Sequence, residues 1–91
     1  MKIVNGGFDK DYSSEVIDGS LEIIKNRLTS LEGCPNSISG DFNCQENQLT
    51  NLKGSPQSVG GGFYCHSNQL TSLKGAPQTI GVEILIVAIM I

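Results

Sequence analysis

Between residues 16 and 81 the apolar and polar positions of the chain return at a fixed step of 21 residues. Leu28-Thr29-Ser30-Leu31-Glu32-Gly33-Cys34-Pro35 recurs as Leu49-Thr50-Asn51-Leu52-Lys53-Gly54-Ser55-Pro56 and again as Leu70-Thr71-Ser72-Leu73-Lys74-Gly75-Ala76-Pro77. The intervening stretches keep the step. Ile38-x-Gly40-x-Phe42-x-Cys44-x-x-Asn47 matches Val59-x-Gly61-x-Phe63-x-Cys65-x-x-Asn68, and Ile17-x-Gly19-x-Leu21-x-Ile23-x-x-Asn26 precedes both. Phe42 and Cys44 alternate with Asp41, Asn43 and Gln45, the period of two of a strand with one buried face. One short parallel strand per repeat, stacked at about 4.8 Å, puts Leu21, Phe42 and Phe63 in one column and Ile23, Cys44 and Cys65 in the next.

The remaining positions complete a turn of chain. Asn26, Asn47 and Asn68 predict a ladder whose amides satisfy backbone groups where the chain bends inward. Leu28, Leu49 and Leu70, with Leu31, Leu52 and Leu73, fill the interior after that bend. Gly33, Gly54 and Gly75 permit a positive φ. Pro35, Pro56 and Pro77 stiffen an extended return segment. Ile17, Ile38, Val59 and Ile80 then dip back into the core. The expectation is a mainly β architecture of about three to four coils near residues 17–37, 38–58 and 59–79.

Phe42-x-Cys44-x-x-Asn47-x-Leu49-x-x-Leu52 resembles the leucine-rich-repeat consensus, in which apolar residues alternate along a strand ahead of an Asn. The 21-residue length and the Gly-x-Pro return resemble the short bacterial and bacteriophage class. The resemblance covers residues 16–81. It implies a curved, right-handed solenoid with parallel strands on the concave side and an extended convex side. For function it implies binding to other proteins, and it brings no shared catalytic residues.

The two ends depart from the repeat. In residues 1–15 the positions equivalent to Gly33 and Pro35 are Tyr12 and Ser14. A stack needs its first apolar column covered, and a polar cap does this. Ile3, Val4, Phe8 and Tyr12 are expected to cover the Leu21/Ile23 end while Asp9, Asp11 and Glu15 keep it soluble. Residues 12–17 also carry a weak helical signal. Asp9-x-Asp11-x-Ser13-x-Glu15 has the spacing of a calcium-loop start. Its sixth place is Ser14, its ninth Ile17 and its twelfth Ser20, so an acidic solvated cap is the better reading.

Residues 82–91 are apolar except for Glu83. Ile84 and Ile86 fall one step after Phe63 and Cys65, so an irregular last strand is expected, with Leu85 and Val87 on the outer face. Suppose these ten residues are encoded by the permissive set GTG GAA ATT TTA ATT GTA GCA ATA ATG ATA, one of many that would specify them. Read from the third base, they give Gly-Asn-Phe-Asn-Cys-Ser-Asn-Asn-Asp, the next repeat of the array. The tail is therefore read as the product of a frame shift within a longer array. The codons actually present decide this. An apolar terminal strand with an open edge is a template for self-association, so Ile84, Leu85, Ile86, Val87 and Ile89 are the expected homo-oligomer edge.

Composition narrows the function. The chain has 91 residues, too few for a two-domain enzyme, and at 38% hydrophobic it is too apolar for intrinsic disorder. The net charge is −3, and its acidic excess lies in residues 1–22. No basic stripe exists to neutralise phosphates, which argues against nucleic acid. The start of the chain lacks the apolar core of a signal peptide, and the apolar run 82–91 is short of the ~18 residues needed to span a bilayer. No membrane partner is expected, and the expected location is cytoplasmic, or the host cytoplasm for a viral protein.

Cys44 and Cys65 stand in core columns, and Cys34 shares its place with Ser55 and Ala76, so all three read as small apolar fillers. No Cys/His spacing suits zinc, and neither a metal nor a cofactor is expected. Gly60-Gly61-Gly62 precedes a strand rather than a helix and is not a phosphate loop. His66 and Tyr64 share the outer strand face with Gln45, Asn43 and Glu22. Without a nucleophile, pocket walls or an orienting carboxylate they make a contact patch and no catalytic site. The expected function is that of a non-enzymatic protein-binding module that binds through the concave strand face (Glu22, Asn43, Gln45, Tyr64 and His66) and/or the C-terminal edge, with a phage-type effector or inhibitor of a host protein as a specialisation. The alternative is a self-assembling structural solenoid or a frame-shifted fragment of a longer array.

Overall fold

The computed structural model describes residues 1–82 and the backbone of Ile84–Leu85. Ten two-residue strands follow one another: β1 (Ile3–Val4), β2 (Gly7–Phe8), β3 (Val16–Ile17), β4 (Leu21–Glu22), β5 (Ser37–Ile38), β6 (Phe42–Asn43), β7 (Ser58–Val59), β8 (Phe63–Tyr64), β9 (Thr79–Ile80) and β10 (Ile84–Leu85). No helix occurs among the described residues, and none is long and apolar enough to cross a membrane.

Two four-stranded parallel sheets dominate, ordered β4-β6-β8-β10 and β3-β5-β7-β9. Every partner in both sheets is 21 residues away: Leu21 pairs with Phe42, Phe42 with Phe63, and Phe63 with Ile84. Likewise Ile17 pairs with Ile38, Ile38 with Val59, and Val59 with Ile80. The second sheet corrects the expectation of one strand per repeat. Ser37 and Ile38, two and three residues past Pro35, alternate outward and inward and so meet the same requirement as Phe42 and Asn43. Pro35 and Pro56 lie just outside these strands and are fully buried.

The step reaches further back than residue 16. Gln78 N–H donates to Gln57 C=O, Gln57 to Asn36, and Asn36 to Glu15, at 2.8–2.9 Å. Gly54 (φ 92°) and Gly75 (φ 90°) sit against the neighbouring repeat so closely that a Cβ on Gly75 would lie 2.5 Å from Lys53 Cα. A side chain there would push adjacent repeats apart.

The core is a single cluster to which each repeat contributes equivalent residues: Ile23, Cys44 and Cys65; Leu28, Leu49 and Leu70; Phe42 and Phe63. The Phe42 and Phe63 rings stack with centroids 5.5 Å apart and planes inclined by 12°. Asparagines tie the bends together. Asn47 Oδ1 accepts the Asn26 and Leu28 N–H groups at 2.9 and 3.0 Å, and its Nδ2 donates to the Ile23 and Cys44 carbonyls at 2.6 and 2.9 Å. Asn68 does the same one repeat later, accepting Leu49 N–H and donating to the Cys44 and Cys65 carbonyls.

The N-terminal segment is an antiparallel hairpin, β1 with β2, turning at Asn5 and Gly6, both at positive φ. That is the conformation of a type I′ turn, which favours Asn-Gly. Ile3 and Phe8 pack against the core, but Val4 alternates outward and is 49% exposed, contrary to the covering role expected of it. The helical signal at residues 12–17 is also overturned: Ser13 and Ser14 form a turn, and Val16 and Ile17 are a strand held by β5.

Candidate functional site

The outer face of the sheet β4-β6-β8-β10 is set by strand alternation. Because Leu21, Phe42 and Phe63 point inward, the residues that follow them must point out. The register therefore aligns Glu22 with Asn43, and Asn43 with Tyr64. Leu85 pairs with Tyr64 through its backbone. After the buried Cys44 and Cys65, Gln45 and His66 emerge one step apart and half-buried. The five residues expected on this face thus form two short files along it.

Local bonds order the patch. Asn43 Oδ1 accepts the Gln45 N–H at 3.1 Å, so its side chain is turned onto its own backbone. The Tyr64 ring lies over Gly62, where a Cβ would come within 2.8 Å of the ring carbon Cε2. In the repeats before, this place holds Ser20 and Asp41, and Asp41 Oδ1 accepts Gly62 N–H at 2.8 Å. The His66 carbonyl accepts Glu46 N–H and the Asn68 amide. Its ring Nδ1 is buried without a hydrogen-bond partner among the described residues, a feature nothing in the sequence signalled. Lys25 and Glu46, 21 apart, form an exposed ion pair at 3.8 Å beside the face, a contact worth little in water.

The reactive side chains are withdrawn. Cys34, Cys44 and Cys65 are reduced thiols buried in the core. Burial pushes the Cys34 thiol up to about 12 and the Cys65 thiol up to about 11. Cys44 is raised as well, by burial first and then by its neighbouring thiols. All three are neutral, weak nucleophiles.

At the N-terminal end, Asp9 Oδ1 accepts the Tyr12 hydroxyl at 2.7 Å and Lys2 N–H at 3.1 Å, which together hold its carboxyl below its usual range. Asp11 is lowered by Ser13. These carboxylates are engaged with the hairpin and its flank rather than converging on a point. Among the described residues no group of three His, Cys, Asp or Glu side chains is placed to hold a metal ion.

Open clefts among the described residues include the following three. One of about 570 Å³ lies between the hairpin and the Gly33 corner, one of about 550 Å³ beside Lys53 and Lys74, and one of about 360 Å³ between Met1–Ile3 and the free edge of β4. Of the five outer-face candidates Glu22 lines the last of these clefts. Of the residues expected at the oligomer edge, the structure places Ile84 and Leu85 in β10. Their side chains, with Ile86, Val87 and Ile89, lie outside the described residues. No family model, curated protein or solved structure matches the chain.

Proposed function

We propose that the chain is a non-enzymatic protein-binding module, a short leucine-rich-repeat-like solenoid of three to four coils capped by its N-terminal hairpin. It presents the outer face of the sheet β4-β6-β8-β10, and the edge beyond β8, to another protein. The observation that carries this reading is the alignment of Glu22, Asn43 and Tyr64 in register on one sheet face, with Gln45 and His66 in the adjoining file. A surface held by a stacked backbone loses little freedom on binding, so a small patch with an aromatic and a histidine supports useful affinity. The resemblance to phage-type arrays makes a host protein in the cytoplasm the favoured partner, with inhibition as the outcome.

Self-assembly is the second reading, favoured by Leu73, which is 43% exposed in the last repeat whereas Leu31 and Leu52 are fully buried. A tail derived by frame shift from a longer array is compatible with either. The binding reading is tested by affinity capture from the native host with the wild-type chain and with Tyr64→Ala/His66→Ala. It expects a protein that the wild type retains and the variant releases, with calorimetry confirming a loss of at least about tenfold in affinity. A partner held equally by both moves the site off this face.

A further inference from the structure

The step of 21 residues aligns charges as well as apolar groups. Gly54 rests on Glu32 and Gly75 on Lys53, while Gly33 lies more loosely over the hairpin's flank, where a Cβ would stand 3.3 Å from Lys10 O and 3.7 Å from Asp11 Cα. Asp11, Glu32, Lys53 and Lys74 therefore share one corner of successive repeats, two acidic residues followed by two basic ones. From residue 47 onward the charged side chains are Lys53, Lys74 and Glu83, a net +1, whereas residues 1–22 hold Asp9, Asp11, Glu15, Asp18 and Glu22 against Lys2 and Lys10, a net −3. Lys53 and Lys74 are both exposed and line the same open cleft of about 550 Å³, beside Thr50, Thr71 and Ser72 and without an acidic neighbour in its wall.

Apolar exposure has the same polarity. The large hydrophobic residues exposed among the described ones are Met1, Val4 and Val16 at the acidic end and Leu73 and Val82 at the basic end. The middle of the molecule has none. Leu73 adjoins Lys74 in sequence and Val82 adjoins Glu83, whereas Met1 and Val4 belong to the end that carries Asp9 and Asp11, so the two ends are apolar in part and opposite in net sign.

We propose that a second copy of this chain is the occupant of the basic end: the Lys53–Lys74 corner and Leu73 of one molecule stack on the acidic hairpin end of the next, Lys74 facing Asp11. The inference rests on the self-association reading above and adds the partner face and the direction. A contact between two basic ends would oppose Lys74 to Lys74, which like-charge repulsion disfavours. The contact is consequently head-to-tail, and such contacts propagate where they do not close into a ring.

Sedimentation velocity of the full chain tests this at low ionic strength, where surface charges act over about 30 Å, and again at high salt, where they act over about 3 Å. The wild type is expected to form a concentration-dependent series of species that shrinks in salt. Lys53→Glu/Lys74→Glu and Asp11→Lys/Glu15→Lys should each associate about tenfold more weakly alone. An equimolar mixture of the two should recover the wild-type behaviour, because each then supplies the charge the other lacks. That recovery also shows both variants to be folded. A wild type that stays monomeric, that stops at a dimer, or that is unaffected by lysine reversal overturns the proposal. If Ile84→Lys/Ile86→Lys abolishes association while lysine reversal leaves it intact, the apolar edge reading survives and this one fails.

Discussion

The first and last repeats contain nearly the same apolar residues and bury them differently. Leu31 and Leu73 occupy equivalent positions, yet Leu31 is fully buried and Leu73 is 43% exposed. The cause lies outside each repeat. Beneath Leu31 sits the hairpin: Gly6 C=O accepts both the N–H and the hydroxyl of Thr29, Gly33 C=O accepts Tyr12 N–H, and Phe8 and Ile3 add apolar surface. Leu52 is buried between its two neighbouring repeats. A unit of 21 residues has no core of its own; its apolar side chains are buried by what lies on either side.

The sharpest contrast is among the asparagines. Asn47→Ala removes an amide that serves five backbone groups, Asn26, Leu28, Ile23, Cys44 and Gln45. At roughly 1–3 kcal/mol per buried group left unsatisfied, the expected loss is above about 4 kcal/mol by denaturant unfolding. Asn26→Ala, whose exposed amide donates to Ile24 C=O at 2.9 Å, should cost under about 1 kcal/mol. Equal losses would show that the asparagines act through something other than these bonds.

The leucines come next. Leu31→Ala should cost about 2–5 kcal/mol and Leu73→Ala no more than about 1 kcal/mol, since the latter side chain is already partly in water. A Leu73 variant as damaging as the Leu31 one would mean that the last repeat is covered in solution. Phe8→Ala should cost about 1–2 kcal/mol, because Phe8 is half-buried and meets Tyr12 edge-on with ring centroids 6.2 Å apart. Its amide exchange should quicken in β1, β2 and the first repeat and leave β7 unchanged.

Acid produces the mildest change. Asp9 and Asp11 have depressed pKa values in the folded protein, so their contribution is complete above the ordinary value of 3.8 and is lost as pH falls below it. Hydrogen exchange should show the hairpin loosening in that window before the repeats do. Asp9→Asn should reduce the pH dependence.

How much was legible follows from the same contrast. Within the array each position is written three or four times, so Leu21, Phe42 and Phe63 could be aligned from spacing alone, and the asparagine ladder could be read before any coordinate. The N-terminal end is written once. Its Asn5-Gly6 pair, flanked by Ile3-Val4 and Gly7-Phe8, is the one hairpin signal there, and the register that turn sets points Ile3 and Phe8 inward and Val4 outward. The second sheet is not legible because Ser37 and Ile38 follow directly on Pro35-Asn36 and lack the longer alternation, Asp41 to Gln45, that marks the first. Of the candidate site, the files of Glu22, Asn43 and Tyr64 and of Gln45 and His66 follow from alternation. The buried Nδ1 of His66 and the stacking of Tyr64 on Gly62 depend on side-chain rotations that spacing does not specify.

The asparagine stitch has a direction. Asn47 secures backbone that precedes it by 19 and 21 residues, and Asn68 secures Leu49 in the same way. During synthesis, then, a loop leaves the ribosome before the amide that will fasten it, and waits for the following loop to arrive. Position 89, where the next amide belongs, is Ile. The newest loop of such a chain is always its least secured until the following loop arrives.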